Sequence, residues 1–204
     1  MELPLTAAGV DEQHSDEALM LRFAQGDEAA FDLLFHRHKN TVYAFIRKFI
    51  VSQEQADDLF QNVFLRVIRY RERYQPDARF STWLFTITRS VCIDTIRRTS
   101  KIPPVMSFET SKPEGVSFTE TLTAAQMTPR DHLHEDDLQR KIDRTLQTLP
   151  EEQREVLLLR ELTDLTFAEI ARITGCSINT AKSRMHYALL ALRRGLMEQG
   201  ITEP

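Results

Sequence analysis

The sequence predicts an all-α protein built as two small helical domains joined by a flexible linker. Apolar residues recur at helical spacing through both halves of the chain. Glycine is scarce, 6 in 204 residues with 8 prolines, which disfavours a turn-rich β fold. Between the halves lies TSKIPPVMSFETSKPEGVSFTETLTAAQMTP (99–129), which holds four of the eight prolines and many Ser and Thr, with neither a helical nor a strand period. Such a segment reads as a linker, extended or disordered in isolation. The expected layout is a disordered extension (1–14), a first domain (15–99), a linker (100–129), a second domain (130–197) and a tail (198–204).

In the first half, Ser15 is placed to cap a helix with Asp16 and Glu17 in its first turn, where acids oppose the helix dipole. Gly26-Asp27 marks a turn before the next helix. From Phe31 to Ile50 the set Phe31, Leu34, Phe35, Val42, Phe45, Ile46 and Phe49 fits one amphipathic helix. Another is expected from Gln53 to about Arg71, with Leu59, Val63, Phe64, Val67 and Ile68 inward. Arg71–Ser81 contains Pro76 and no apolar period, so a loop is expected. Ser81 or Thr82 is expected to cap a helix ending at Arg98, with Trp83, Leu84, Ile87, Val91 and Ile96 as core candidates.

In the second half, a helix through Leu133–Leu149 sets Leu138, Ile142, Leu146 and Leu149 on one face. Pro150 suits a helix start, followed by Glu151 and Glu152, with Val156, Leu157, Leu159 and Leu162 inward. The most informative stretch is TFAEIARITGCSINTAKSRMHYALLALRR (166–194). Thr166 and Glu169 have capping-box spacing. Thr174-Gly175-Cys176 predicts a tight turn with positive φ at Gly175. Ser177 caps the following helix, with Ile178, Ala181, Met185, Ala188, Leu189 and Leu192 expected inward. Asn179, Thr180, Lys182, Ser183, Arg184, His186 and Tyr187 occupy the other face. Small residues at Ala171 and Ala181 allow close helix crossing. The pattern is a helix-turn-helix, whose second helix would enter the DNA major groove.

Charge distribution supports nucleic-acid binding despite a net charge of −4. Residues 1–17 carry five acids and no Lys or Arg, whereas 66–79 carry five Arg (66, 69, 71, 73, 79) against Glu72 and Asp77. Residues 177–197 hold Lys182, Arg184, Arg193 and Arg194 and no acid. A segregated basic face can bind phosphate whatever the total. Asp57, Asp58 and Gln61, at i, i+1 and i+4, form an acidic, hydrogen-bonding patch on one helix.

Composition excludes several classes. The apolar fraction of 42% and charged fraction of 27% are those of a soluble globular protein. No stretch approaches the roughly 18 apolar residues of a membrane span. The N-terminal segment lacks the basic and apolar runs of a secretory signal. Cys92 and Cys176 sit in unrelated contexts and are expected as free thiols. No Glu-x-x-His repeat, Walker loop or dinucleotide fingerprint occurs, so no catalytic site, cofactor, metal or small-molecule substrate is expected. His36 and His38 are expected at the surface rather than as ligands.

The segment LPEEQREVLLLRELTDLTFAEIARITGCSINTAKSRMHYALLALRR resembles region 4 of bacterial sigma factors, which reads the −35 element. ADDLFQNVFLRV (56–67), FSTWLFTITRSVCIDTIRR (80–98) and the arginine-rich loop between them resemble region 2 of the extracytoplasmic-function (ECF, group IV) class. The order matches, and no full middle domain fits between them. The resemblance implies a subunit that binds core RNA polymerase and directs promoter-specific initiation. It implies that Asp57, Asp58 and Gln61 dock on the clamp coiled coil of the β′ subunit, with the β subunit also a partner. It assigns −10 contacts to Arg71, Arg73, Tyr74, Arg79, Arg89, Ser90, Asp94, Arg97 and Arg98, with Tyr70, Tyr74 and Phe80 as stacking faces. It assigns −35 contacts to Asn179, Thr180, Lys182, Ser183, Arg184 and Tyr187. Ser90 stands where the family usually carries Asn, which changes the hydrogen bond available there. The linker would thread toward the polymerase cleft. An anti-sigma factor is a further implied partner, and the implied location is the cytoplasm, at the nucleoid or held at the inner membrane by a regulator.

Two other functions compete. A stand-alone helix-turn-helix regulator explains 150–197 but not the basic, aromatic first half. An enzyme on a helical scaffold lacks its motifs.

Overall fold

A computed structural model describes residues 14–50, 52–99 and 129–201, leaving aside the side chains of 99 and 129–136. The described residues form eight α-helices and a single 3-10 turn. The expected extension (to residue 13) and the linker between 100 and 128 lie outside the described residues.

The first unit is built from α1 (Asp16–Ala24), α2 (Glu28–Phe49), α3 (Gln53–Arg69) and α4 (Phe80–Thr99). Its starts are locally encoded. Ser15, Asp27 and Ser52 each accept a hydrogen bond from the backbone N–H three residues on, at Ala18, Ala30 and Gln55. Gly26, at φ 102°, makes the α1–α2 turn, and Arg22 spans it to Asp27 at 2.6 Å. Leu34, Phe45, Ile46, Val63, Leu84, Phe85 and Val91 fill the bundle. Phe31, Phe35, Phe60 and Phe64 form an edge-to-face cluster between α2 and α3.

Two boundaries differ from expectation. α3 stops at Arg69, and Arg71–Arg73 form a 3-10 turn within the expected loop. α4 begins at Phe80, not at Ser81 or Thr82. Its first free N–H, that of Phe80, donates to the Glu17 carboxylate of α1 at 2.7 Å. A cap supplied from far away in sequence makes the local Ser/Thr unnecessary.

The second unit comprises α5 (Pro129–Thr148), α6 (Glu151–Leu162), α7 (Phe167–Thr174) and α8 (Ile178–Glu198). Both halves of the Thr166–Glu169 capping box form, and Gly175 takes φ 68°. Buried Leu159, Leu165, Ile170, Ala171, Ala181 and Ala188 bring α6, α7 and α8 together. Ile178 and Leu189, expected inward, are each 46% exposed, and Leu138 also faces outward. Ala181, Met185 and Ala188 form the buried row of α8, with Leu192 packed beside it, so Ile178 and Leu189 on the flanks turn away.

The units also pack on each other. α2 meets α5 and α6, and α4 meets α7. Lys48 Nζ donates to Asp143 at 3.1 Å, and Gln147 donates to the Lys48 carbonyl at 2.9 Å.

Candidate nucleic-acid and polymerase interfaces

Three polar surfaces stand on this scaffold. The first lies on α3. Burial of Ala56, Leu59 and Val63 fixes the helix roll, and this leaves Asp57, Asp58 and Gln61 exposed together. Asp57 Oδ1 accepts from the Tyr43 hydroxyl at 2.8 Å, which orients one carboxylate. Partial burial, then the neighbouring Asp57, raise the Tyr43 pKa, so the phenol stays a donor.

The second surface spans the 3-10 turn and α4. Arg71 and Arg73 are held over the rings of Phe23 and Tyr70, at 5.3 and 5.2 Å from the ring centres. Stacking orients the guanidinium planes while leaving their edges free to meet phosphate. Arg97 and Arg98 are exposed at the end of α4. Ser90 is half-buried on the same helix. Asp94 lies 3.7 Å from Arg66, which also donates to Asn62 at 3.1 Å, so Asp94 ties α4 to α3.

Several residues of this set are placed otherwise than a DNA-facing role requires. Tyr74 is 5% exposed, its ring against Phe80 and Trp83. Burial, followed by nearby carboxylates, pushes its pKa well up. Phe80 is fully buried as well, so neither ring offers a stacking face in this conformation. Arg89 Nε is engaged by Glu155 of α6. Arg79 donates to the Asp164 carbonyl at 3.3 Å and lies 3.9 Å from Glu169.

The third surface is the outer face of α8. Ser177 Oγ caps the helix by accepting from Thr180 N at 3.0 Å. Asn179, Thr180, Lys182 and Ser183 are exposed over the first two turns, and Tyr187 is 58% exposed. Arg184 lies half-buried beside α6, 4.0 Å from Glu152. Free helical N–H groups and a lysine on one exposed face suit a phosphate-lined groove.

His38, expected as a plain surface residue, is half-buried and bonded to Asp16 at 2.6 Å, while Arg37 takes the other Asp16 oxygen at 2.7 Å. His36 is exposed and bonds the Asp32 carbonyl of its own helix.

Sequence reasoning missed Arg154 and Glu155, buried side by side on α6. Their signal was a charged pair inside EEQREVLLLREL, which the apolar period alone passes over. Arg154 lies over the Phe49 ring at 5.2 Å and also donates to Gln147.

The family model for Sigma-70 region 2 matches residues 34–102, and that for Sigma-70, region 4 matches residues 139–192. The ECF RNA polymerase sigma-E factor of Haemophilus influenzae is 30% identical over 177 residues, spanning 87% of this chain and 93% of that protein. The RNA polymerase sigma-H factor of Pseudomonas aeruginosa is 28% identical over 90% of this chain and 95% of its own length. Among solved structures, CnrH in complex with the cytosolic domain of CnrY matches with a TM-score of 0.65 at 23% identity, over 90% of this chain and 97% of that one. The sigma factor RpoE of Bartonella quintana, in complex with the anti-sigma factor NepR, matches at 0.61 and 22%, over 82% and 96%. At these identities the two structures speak for the fold.

Proposed function

The chain belongs to the extracytoplasmic-function family of RNA polymerase sigma factors, and we propose how its two helical units divide the work of that family. It directs RNA polymerase to promoters. The family is not known for catalysis, and we assign this chain no enzymatic role. Residues 15–99 form the unit that binds core polymerase and handles the −10 element, and 130–197 form the unit that reads the −35 element. The linker between them is 100–129, with 1–14 and 198–204 as terminal segments.

In this scheme Asp57, Asp58 and Gln61 on α3 dock on the β′ clamp coiled coil. Arg71, Arg73, Arg97 and Arg98 follow the phosphates of the opened strand, joined by Arg79 and Arg89 once these leave their carboxylate partners. Ser90 offers a hydroxyl at the position where the family usually presents an amide. Asp94 acts through Arg66, holding α3 and α4 in register, and Tyr74 shapes the loop from beneath. Melting costs a few kcal/mol per unstacked base, offset by contacts to base and backbone. Asn179, Thr180, Lys182, Ser183, Arg184 and Tyr187 read the −35 duplex from α8.

No described helix is long and apolar enough to cross a membrane, consistent with a cytoplasmic factor working at the nucleoid. The matched structures include a sigma factor bound to an anti-sigma factor, which supports an anti-sigma partner here, anchored at the inner membrane or free.

The observation that carries this assignment is the outer face of α8, basic and hydroxyl-rich with no carboxylate from Ser177 through Met197. Transcription reconstituted with core polymerase on genomic fragments tests it. Lys182→Ala and Arg184→Ala should weaken −35-dependent promoters by about 1–3 kcal/mol for each base that the side chain reads. Asp58→Ala should instead lower affinity for core polymerase. Wild-type transcription by both α8 variants would refute the groove-facing assignment.

A further inference from the structure

Of the three side chains assigned above to core polymerase, one is held in place and two are not. Asp57 Oδ1 accepts from the Tyr43 hydroxyl of α2 at 2.8 Å. Among the described residues, no hydrogen bond ties the Asp58 or Gln61 side chain to a neighbour.

The donor is braced from behind. Val42, next to Tyr43, and Ala56, next to Asp57, are both fully buried, which fixes the roll of α2 and α3. The Tyr43 ring meets the Phe60 ring edge-on, 5.5 Å between centres at an angle of 90°. Phe60 in turn packs against Phe64 at 5.1 Å and Phe35 at 6.1 Å. A side chain with two rotatable bonds and a supported ring aims its hydroxyl in one direction.

Two roles are open to this bond. As a tie between helices it adds little, because water can replace either exposed partner. The aromatic cluster of Phe31, Phe35, Phe60 and Phe64 already joins α2 to α3. As a guide to Asp57 it does more. A surface carboxylate samples several rotamers, and fixing such a side chain on binding costs about threefold to tenfold in affinity. A carboxylate that is already held loses less. The bond occupies Oδ1 and leaves Oδ2 for an incoming donor. Burial, then the bond to Asp57 and its charge, raise the Tyr43 pKa against an opposing pull from Arg47, so the hydroxyl remains a donor at neutral pH.

We propose that Tyr43 is a positioning residue for core polymerase: it presets the Asp57 carboxylate in the rotamer that meets a cationic side chain of the β′ coiled coil. It acts through Asp57 rather than by touching the polymerase. This inference rests on the assignment of Asp57 to core docking.

A double-mutant cycle in the full chain tests it, with Tyr43→Phe, Asp57→Ala and the two combined. Fluorescence anisotropy of labelled factor reads affinity for core polymerase. Tyr43→Phe removes one oxygen and keeps the ring on Phe60, so far-UV circular dichroism and the urea midpoint should match wild type. Its affinity for core should fall about threefold to tenfold. Asp57→Ala should lose at least as much, and adding Tyr43→Phe to it should cost nothing further. In an Asp58→Ala background, where the Tyr43 bond is intact, the Tyr43→Phe penalty should reappear in full. A penalty that persists without Asp57 overturns the positioning role, since the hydroxyl then meets the polymerase itself. A penalty that vanishes without Asp58 overturns it too, since Tyr43 then acts on the helix as a whole. Unchanged affinity in Tyr43→Phe, with or without a lowered urea midpoint, reduces the bond to a tie between helices. Wild-type affinity in Asp57→Ala overturns the docking assignment, and the role of Tyr43 with it.

Discussion

Arg154 is the residue whose energetics are least ordinary. It is 9% exposed, it stacks on Phe49, and one of its donors has no partner. Burial lowers its pKa, opposed by Glu151. A buried cation lacking a directly paired carboxylate costs more desolvation than it recovers. Arg154→Met should therefore be neutral or stabilising, by up to about 2 kcal/mol, where most buried substitutions lose stability. Urea denaturation checks this, and a loss above about 1 kcal/mol would show that Arg154 is better satisfied than its contacts indicate. Asp16 presents the opposite case. Burial disfavours its charge, but hydrogen bonds from His38 and Arg37 outweigh that and hold its pKa below the usual 3.8. A depressed carboxylate contributes stability above its unfolded pKa and loses it as pH falls through the folded value. Asp16→Asn should cost about 1 kcal/mol at pH 7, and the gap to wild type should close below about pH 4. Urea midpoints at pH 7 and pH 3 measure it. Single-residue roles were legible where a side chain acts on its own helix, as for Ser15, Thr166 and Ser177. Tyr74 shows the limit, since an aromatic in a basic loop has the same letters whether it faces a base or packs beneath Trp83.

Helix starts and stops were read more reliably than helix faces. Ser15, Ser177, Thr166–Glu169 and Gly175 encode their boundaries within four residues, so local sequence suffices. α4 was misplaced because its cap comes from Glu17, far back in the chain, which no local window contains. Ile178 and Leu189 were misassigned because helical period is blind to which of two neighbouring apolar rows meets a partner. The turn between α7 and α8 gives a direct test at this scale. Gly175 has φ 68°, a conformation in which an L side chain is strained although space around it is open. Gly175→Ala should cost about 1–2 kcal/mol. The loss should appear in thermal unfolding, and it should also weaken −35-dependent transcription, because the turn sets the angle at which α8 leaves α7. Gly195 answers to a different constraint, as a Cβ there would stand 2.5 Å from Thr145 Cγ2 on α5. Its role is the close crossing of α5 and α8, which no motif announced.

At the scale of the whole molecule, the division into two helical units was visible in composition, but their contact was not. Complementary charge across a seam leaves no periodic trace: Arg89 and Glu155 are far apart in sequence, and each looks like an ordinary surface residue of its own helix. The contact has a thermodynamic consequence. If the seam couples the units by more than the difference in their separate stabilities, they unfold together. The sole tryptophan, Trp83, lies in the first unit at the base of α4, whereas far-UV circular dichroism reports helices of both units. In wild type the two signals should therefore trace one urea transition. Lys48→Met with Glu155→Gln removes an ion pair from each end of the seam while leaving each core intact. In that variant the fluorescence and dichroism midpoints should separate, since each unit then unfolds at its own stability. Coincident curves in the variant would mean that apolar contact around Phe49, rather than the charged pairs, joins the halves, and separated curves already in wild type would mean that the seam is too weak to couple them at all.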